Sequence, residues 1–195
     1  MATEILQKSG NPLSFADHAG DFSPQAAHTI EHDTPTDVQL SLSGLVAANA
    51  KQSAQADFGA TRAAAYAIHV CLEVVAGAAS SLETVDFYWN ASPNSTAANG
   101  NSGGCSGADA AYAGTGQDSL SDSLKQLIYL GSHVATTDDT ADSPPVQISQ
   151  INSNSLFYPS TRYGSLVVVN NLTGAFHSDD VEMAVVFSPV IDESQ

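Results

Sequence analysis

Apolar residues in this chain recur at every second position far more consistently than at helical spacing. The clearest case is Arg62–Ala76, where Tyr66, Ile68, Val70, Leu72 and Val74 share one face and Ala67, His69, Cys71 and Glu73 the other. Ser81–Asn90 repeats the pattern with Val85, Phe87 and Trp89 against Asp86 and Tyr88. Thr36–Leu45 sets Val38, Leu40 and Leu42 against Gln39, Ser41 and Ser43. A period of two places successive side chains on opposite faces of a strand, so each stretch predicts a strand with one face in a core. Further strands are expected at Leu127–Val134, after a helical turn capped by Ser119 or Ser121, and over the short runs Val146–Ser149 and Leu156–Tyr158.

The C-terminal runs Gly164–Val169 and Val181–Phe187 are rich in Val, whose branched β-carbon favours a pleated surface. The first is apolar at every position from Leu166 to Val169, the pattern of a strand covered on both faces. Asn170-Asn-Leu-Thr-Gly174 between them predicts a hairpin or a longer antiparallel return, and Pro189 is expected to close the second strand.

Other segments lack a period. Val46–Ala60 is Ala-, Gln- and Asn-rich, a loop or short helix, and Ala91–Gln117 is a long Ser/Asn/Gly loop of the kind that often carries interactions. Residues 1–36 hold Pro12, Pro24 and Pro35 and no sustained apolar face. They read as an extended N-terminal arm, leaving 37–195 as one domain. The apolar residues Ile5, Leu6, Leu13, Phe15, Phe22 and Ile30 are too many for a solvated tail, so the arm is expected to order on a neighbouring subunit through them. Strands separated by turn signals, with no long helix, predict an all-β antiparallel two-sheet sandwich. A jelly roll is the first choice and an immunoglobulin-like sandwich the second.

Composition narrows the partners. Five Lys and Arg against 21 Asp and Glu give a formal charge of −16, which repels nucleic acid and anionic lipid alike. Cys71 lies in a strand pattern and Cys105 in a Gly/Ser loop, settings that point to free thiols and a reducing compartment. The opening MATEILQKSG has no apolar signal region, so synthesis and folding in a cytoplasm are expected.

Candidate chemistry is sparse. His28-Thr-Ile-Glu31-His32 matches a zinc-protease signature, but that chemistry needs a helix to set both imidazoles on one face, and Pro24 and Pro35 bracket the segment closely. Gly100–Gly104 resembles the surroundings of a nucleophilic Ser102, yet nothing in the spacing of His69, His133 or His177 singles out a base. Asp138, Asp139 and Asp142, and Ser178-Asp179-Asp180, offer oxygens for Ca²⁺ without the twelve-residue loop pattern. Trp89 with Tyr88 is a conceivable sugar platform, although the alternation turns Trp89 inward. No enzyme activity, cofactor or resident metal is expected.

Three segments together carry a resemblance: Asp57-Phe-Gly-Ala-Thr-Arg62, Phe87-Tyr-Trp-Asn-Ala-Ser92 running into Gly103–Tyr112, and Arg162–Val167 through Ala175–Ser178 to Ile191–Glu193. From Asp57 onward the chain resembles a family of small structural proteins encoded in the virion modules of tailed bacteriophages. The resemblance implies a β-sandwich virion component. The leading expectation is a capsid decoration (cement) protein, a homo-oligomer such as a trimer that binds the major capsid protein. The alternative is a tail, collar or fibre component that recognises a host receptor glycan.

Overall fold

The computed structural model describes residues 10–60, 62–75, 77, 79–80, 82–115, 119–136, 146–151 and 155–190. Its strands are β1 (Leu13–Ala16), β2 (Thr36–Gln39), β3 (Ala50–Gln52), β4 (Ala56–Asp57), β5 (Ala65–Glu73), β6 (Thr84–Ser92), β7 (Ala110–Tyr112), β8 (Ile128–Val134), β9 (Val146–Ile151), β10 (Tyr163–Asn170) and β11 (Ala184–Val190). One short helix, α1 (Leu120–Leu124), precedes β8, with the Ser119 side chain accepting from the Asp122 amide at its start. That cap satisfies a donor the first turn would otherwise leave free.

Two sheets form the sandwich, ordered β2-β1-β11-β5-β9 and β7-β3-β10-β6-β8. Setting aside β2, β4 and β7, the eight remaining strands pair first with last inward: β1 with β11, β3 with β10, β5 with β9 and β6 with β8, all antiparallel. That is the pairing of one long antiparallel hairpin rolled into two sheets, the jelly roll. The expected all-β sandwich is present, and the jelly-roll choice over the immunoglobulin-like one follows from the strand order. The predicted C-terminal hairpin is absent. β10 pairs with β3 and β6, while β11 pairs with β1 and β5 in the opposite sheet. Their connection crosses between sheets because each strand belongs to a different layer of the roll.

An aromatic cluster fills the space between the sheets. Trp89 is fully buried, with ring centroids 5.3 Å from Phe58, 5.6 Å from Phe157 and 5.7 Å from Phe187. Gly164 explains how the indole fits: a Cβ there would stand 2.2 Å from Trp89 Cζ2. Tyr66, Ile68, Val70, Leu72 and Val74 all lie in this core, as the alternation predicts. Leu72→Ala is accordingly expected to cost about 2–5 kcal/mol through transfer and cavity terms. Chemical denaturation checks this, and an unchanged midpoint would remove β5 from the core.

Segments without strand periodicity cover the outer faces. Residues 17–35 cross the β1-β11-β5 face, where Phe22 and Ile30 pack on Ala16, Ala184 and Val186. Four polar contacts fasten this strap: Ser23 N–H to Val181 O (2.8 Å), Gln25 N–H to Glu182 Oε1 (2.9 Å), His28 Nδ1 with Glu182 Oε2 (2.5 Å) and His32 Nε2 with Ser188 Oγ (2.8 Å). The 93–115 loop covers the other sheet, with Cys105 and Tyr112 packed against Ala50, Val167 and Val169. Its backbone is pinned by Ser102 N–H to Asn90 Oδ1 (3.0 Å) and Ser106 N–H to Gln52 Oε1 (2.8 Å). These covers explain why β10 and β11 are buried on both faces although both pair antiparallel with their neighbours.

The arm expectation needs correction on these grounds. Leu13 and Phe15 are 1% and 0% exposed, in a strand hydrogen-bonded between β11 and β2. Phe22 and Ile30 pack on the same chain's sheet. Within the described residues, 10–36 belong to the sandwich; Ile5 and Leu6 lie outside them.

Candidate functional site: the open β8–β9 seam

The motifs singled out in the sequence are spent on structure. His28 lies in a turn and His32 in irregular chain, neither on a helix, and they meet different partners, Glu182 and Ser188. Ser102 begins a 3-10 turn inside the cover loop. His133 is bound to Ser149 and Gln147, and His177 approaches Glu73 at 3.8 Å. Asp180 is buried, and its Oδ2 accepts from the Leu42 and Ser43 amides and the Ser41 hydroxyl, fastening the turn after β2. Asp17 and Asp21 bring carboxylate oxygens within 4.8 Å of it and of each other. Both cysteines are unpaired and buried, and burial pushes each thiol up to about 12, so neither is a ready nucleophile. Trp89 lies in the core and offers no face to a sugar. Asp57 and Arg162, from two of the resemblance segments, form a two-point ion pair at 2.7 Å where β4 meets β10.

Exposed apolar side chains gather elsewhere. Ile128 (42%), Tyr129 (54%), Val134 (54%), Ile148 (48%) and Tyr158 (65%) all belong to β8, β9 or the segment just after β9. These two strands are the edges of opposite sheets on the same side of the sandwich. Among the described residues, hydrogen bonds join their side chains at one end. There His133 Nδ1 contacts Ser149 Oγ at 2.7 Å, His133 Nε2 contacts Gln147 Oε1 at 2.9 Å, and the Thr136 amide donates to the same Gln147 oxygen. Burial lowers the His133 pKa, which keeps the imidazole neutral in this latch.

At the other end the seam is open. A groove of about 260 Å³ lies between the sheets, lined by Ile128, Leu130, Ile151, Leu156 and Phe157, with Ile68 from the core among its walls. A register shift in the β6–β8 ladder shapes it: Phe87 faces Gly131 and Tyr88 faces Tyr129, so Leu130 is an extra residue. Ile128 stands opposite Trp89, hence on the inward face, yet it keeps nearly half its exposure, since it lies at the open mouth of the groove. Tyr129 points outward and rests on Tyr88, with ring centroids 5.3 Å apart.

The edges themselves lack guarding charges among the described residues. Natural edge strands are short, or carry Lys, Pro or other charges that discourage pairing. β2 and β7 are four and three residues long. β8 (IYLGSHV) and β9 (VQISQI) are seven and six residues long and contain no Asp, Glu, Lys, Arg or Pro. Sequence reasoning placed both strands but gave no sign of the groove, because exposure at Ile128 depends on how far the two sheet edges stand apart.

No protein-family model, no curated protein and no solved structure matches this chain.

Proposed function

We propose that this chain is a structural virion protein of a tailed phage, a capsid decoration protein that binds neighbouring capsid subunits. The observation that carries an assembly role is the open seam: two long edge strands without guarding charges, with exposed apolar side chains gathered along them. Exposed apolar side chains on edge strands without guarding charges invite pairing with another chain. The virion setting rests on the resemblance of the segments from Asp57 onward, and the jelly roll supports it as analogy, since viral capsid proteins share that architecture with lectins and cupins.

The tail or fibre reading, with a glycan as receptor, draws less support. Exposed aromatic side chains in the long loop would favour glycan binding, and Tyr112, the one aromatic residue between Ala91 and Gln117, is buried against β3. Quantitative mass spectrometry of purified particles tests the proposal. Copies comparable to the capsid subunit number are expected. A number matching a tail or collar ring would transfer the protein to that apparatus, and absence from particles would remove the virion role.

A further inference from the structure

We infer that the β8–β9 seam takes an extended, cationic polypeptide segment by strand addition, with one apolar side chain of that segment seated between the sheets. The inference rests on the assembly role proposed above and names the chemistry of the partner. An unpaired edge offers backbone donors and acceptors that an incoming strand satisfies, while pockets along the edge select alternate side chains. Here the pocket is the groove beside Ile128, Ile151 and Phe157. Its volume is below the roughly 300–1,000 Å³ typical of small-molecule sites, and it suits one inserted side chain better than a cofactor.

Charge decides the occupant. The chain has 21 acidic residues against five Lys and Arg, so a second copy would meet like charge. Charge near the seam has the same sign. Asp86 on β6 accepts from Ser132 of β8. Lys125, between α1 and β8, is already paired with Asp122 at 2.7 Å. A segment alternating apolar residues with Lys or Arg places the first in the groove and meets the net negative charge of the chain with the second. Such complementarity also speeds encounter, in a way that salt suppresses.

The test uses the full chain, labelled with ¹⁵N, and two blocked peptides, Lys-Val-Lys-Leu-Lys-Val-Lys and its Glu counterpart. Amide shifts on adding the Lys peptide are expected to be confined to Ile128–Val134, Val146–Ile151 and residues 155–158. Affinity should fall with added salt, and the Glu peptide should leave the spectrum unchanged. Ile128→Lys places the guard charge that natural edges use, and it is expected to weaken binding by about tenfold or more. Tyr158→Ala, which alters an exposed side chain at the groove, supplies the same reading should Ile128→Lys fail to fold. Val46→Lys, at an exposed position outside the seam, is the control and should bind as the parent does.

Shifts elsewhere, equal binding of the Glu peptide, no binding at all, or unaltered binding by both seam variants would each overturn the inference. So would a dimer through this seam that the Lys peptide fails to displace. Particle copy number plays no part in these readings, so failure of the peptide test and failure of the virion role remain separate results.

Discussion

A chain that begins at Thr36 is expected to fail to fold, or to unfold at far lower denaturant than the full chain. β1 is an inner strand, hydrogen-bonded to β11 on one side and β2 on the other. Removing it exposes both neighbours' backbone groups and takes Leu13 and Phe15 out of the core. Phe15 alone contacts two aromatic partners, with centroids 5.0 Å from Phe187 and 6.3 Å from Trp89. Phe15→Ala is therefore expected to cost about 3–5 kcal/mol, a large fraction of the roughly 5–15 kcal/mol that stabilises a typical domain. Urea unfolding followed by Trp89 fluorescence measures both effects. A truncated chain that unfolds like the parent would return residues 10–36 to the role of a separable arm.

The second large effect comes from Glu73, whose replacement by Gln is expected to stabilise the protein above neutral pH and flatten its pH dependence. Glu73 is 2% exposed at the end of β5. Burial raises its pKa first, and the charges of Glu182, Asp179 and Asp180 add to the rise, bringing it to about 7. Beside it, Glu182 is tied to His28, and His177 Nδ1 stands 3.8 Å from the Glu73 carboxylate. Neither Lys nor Arg contributes to the shift.

A carboxyl whose pKa is higher in the folded chain holds its proton more tightly there. Stability from this group is thus complete below the unfolded value of 4.5 and is lost as pH rises to about 7. The shift corresponds to roughly 3 kcal/mol at full size. Glu73→Gln keeps an acceptor for the Glu182 amide and carries no charge at any pH. The variant should exceed the parent by about 2–3 kcal/mol at pH 8 and match it near pH 4.5. Buried His133 acts with the opposite sign, since its lowered pKa costs stability as pH falls through the unfolded value of 6.5. Because His133 is common to both proteins, the difference between their unfolding free energies across pH isolates Glu73. A difference that stays constant from pH 4.5 to 8 would remove the buried-acid account.

Particular residues show how far the sequence could be read. Alternation at Tyr66–Val74 and Val85–Trp89 identified two long strands and their inward faces, because one buried face leaves a period of two in any sheet. The unbroken apolar run Leu166–Val169 likewise announced a strand covered on both sides. The pair of cap candidates Ser119 and Ser121 announced the start of α1, since a cap is a local interaction, and the structure uses Ser119. By contrast, β3 and β4 went unread, as Ala50-Lys-Gln52 and Ala56-Asp57 carry too few side chains to show a period. β1 was missed for the same reason: Leu13-Ser-Phe-Ala16 is short, lies among prolines, and is buried at all four positions.

Sequence by itself determined the fold class, the identity of the longest strands and the acidic surface, for these follow from local periodicity and from counting charges. Tertiary structure alone decided which strand lies beside which. The β10 and β11 runs look like partners along the chain, yet the rolled hairpin sends them to opposite sheets, because pairing is settled by contacts far apart in sequence. It also turned the apparent arm and the long polar loop into covers, since only the assembled sheets have faces for Phe22, Ile30, Cys105 and Tyr112 to cover. The seam belongs to the same class. An inward-facing isoleucine is ordinary in sequence, and Ile128 becomes a docking residue only because β8 and β9 close on each other at His133 and part at the other end.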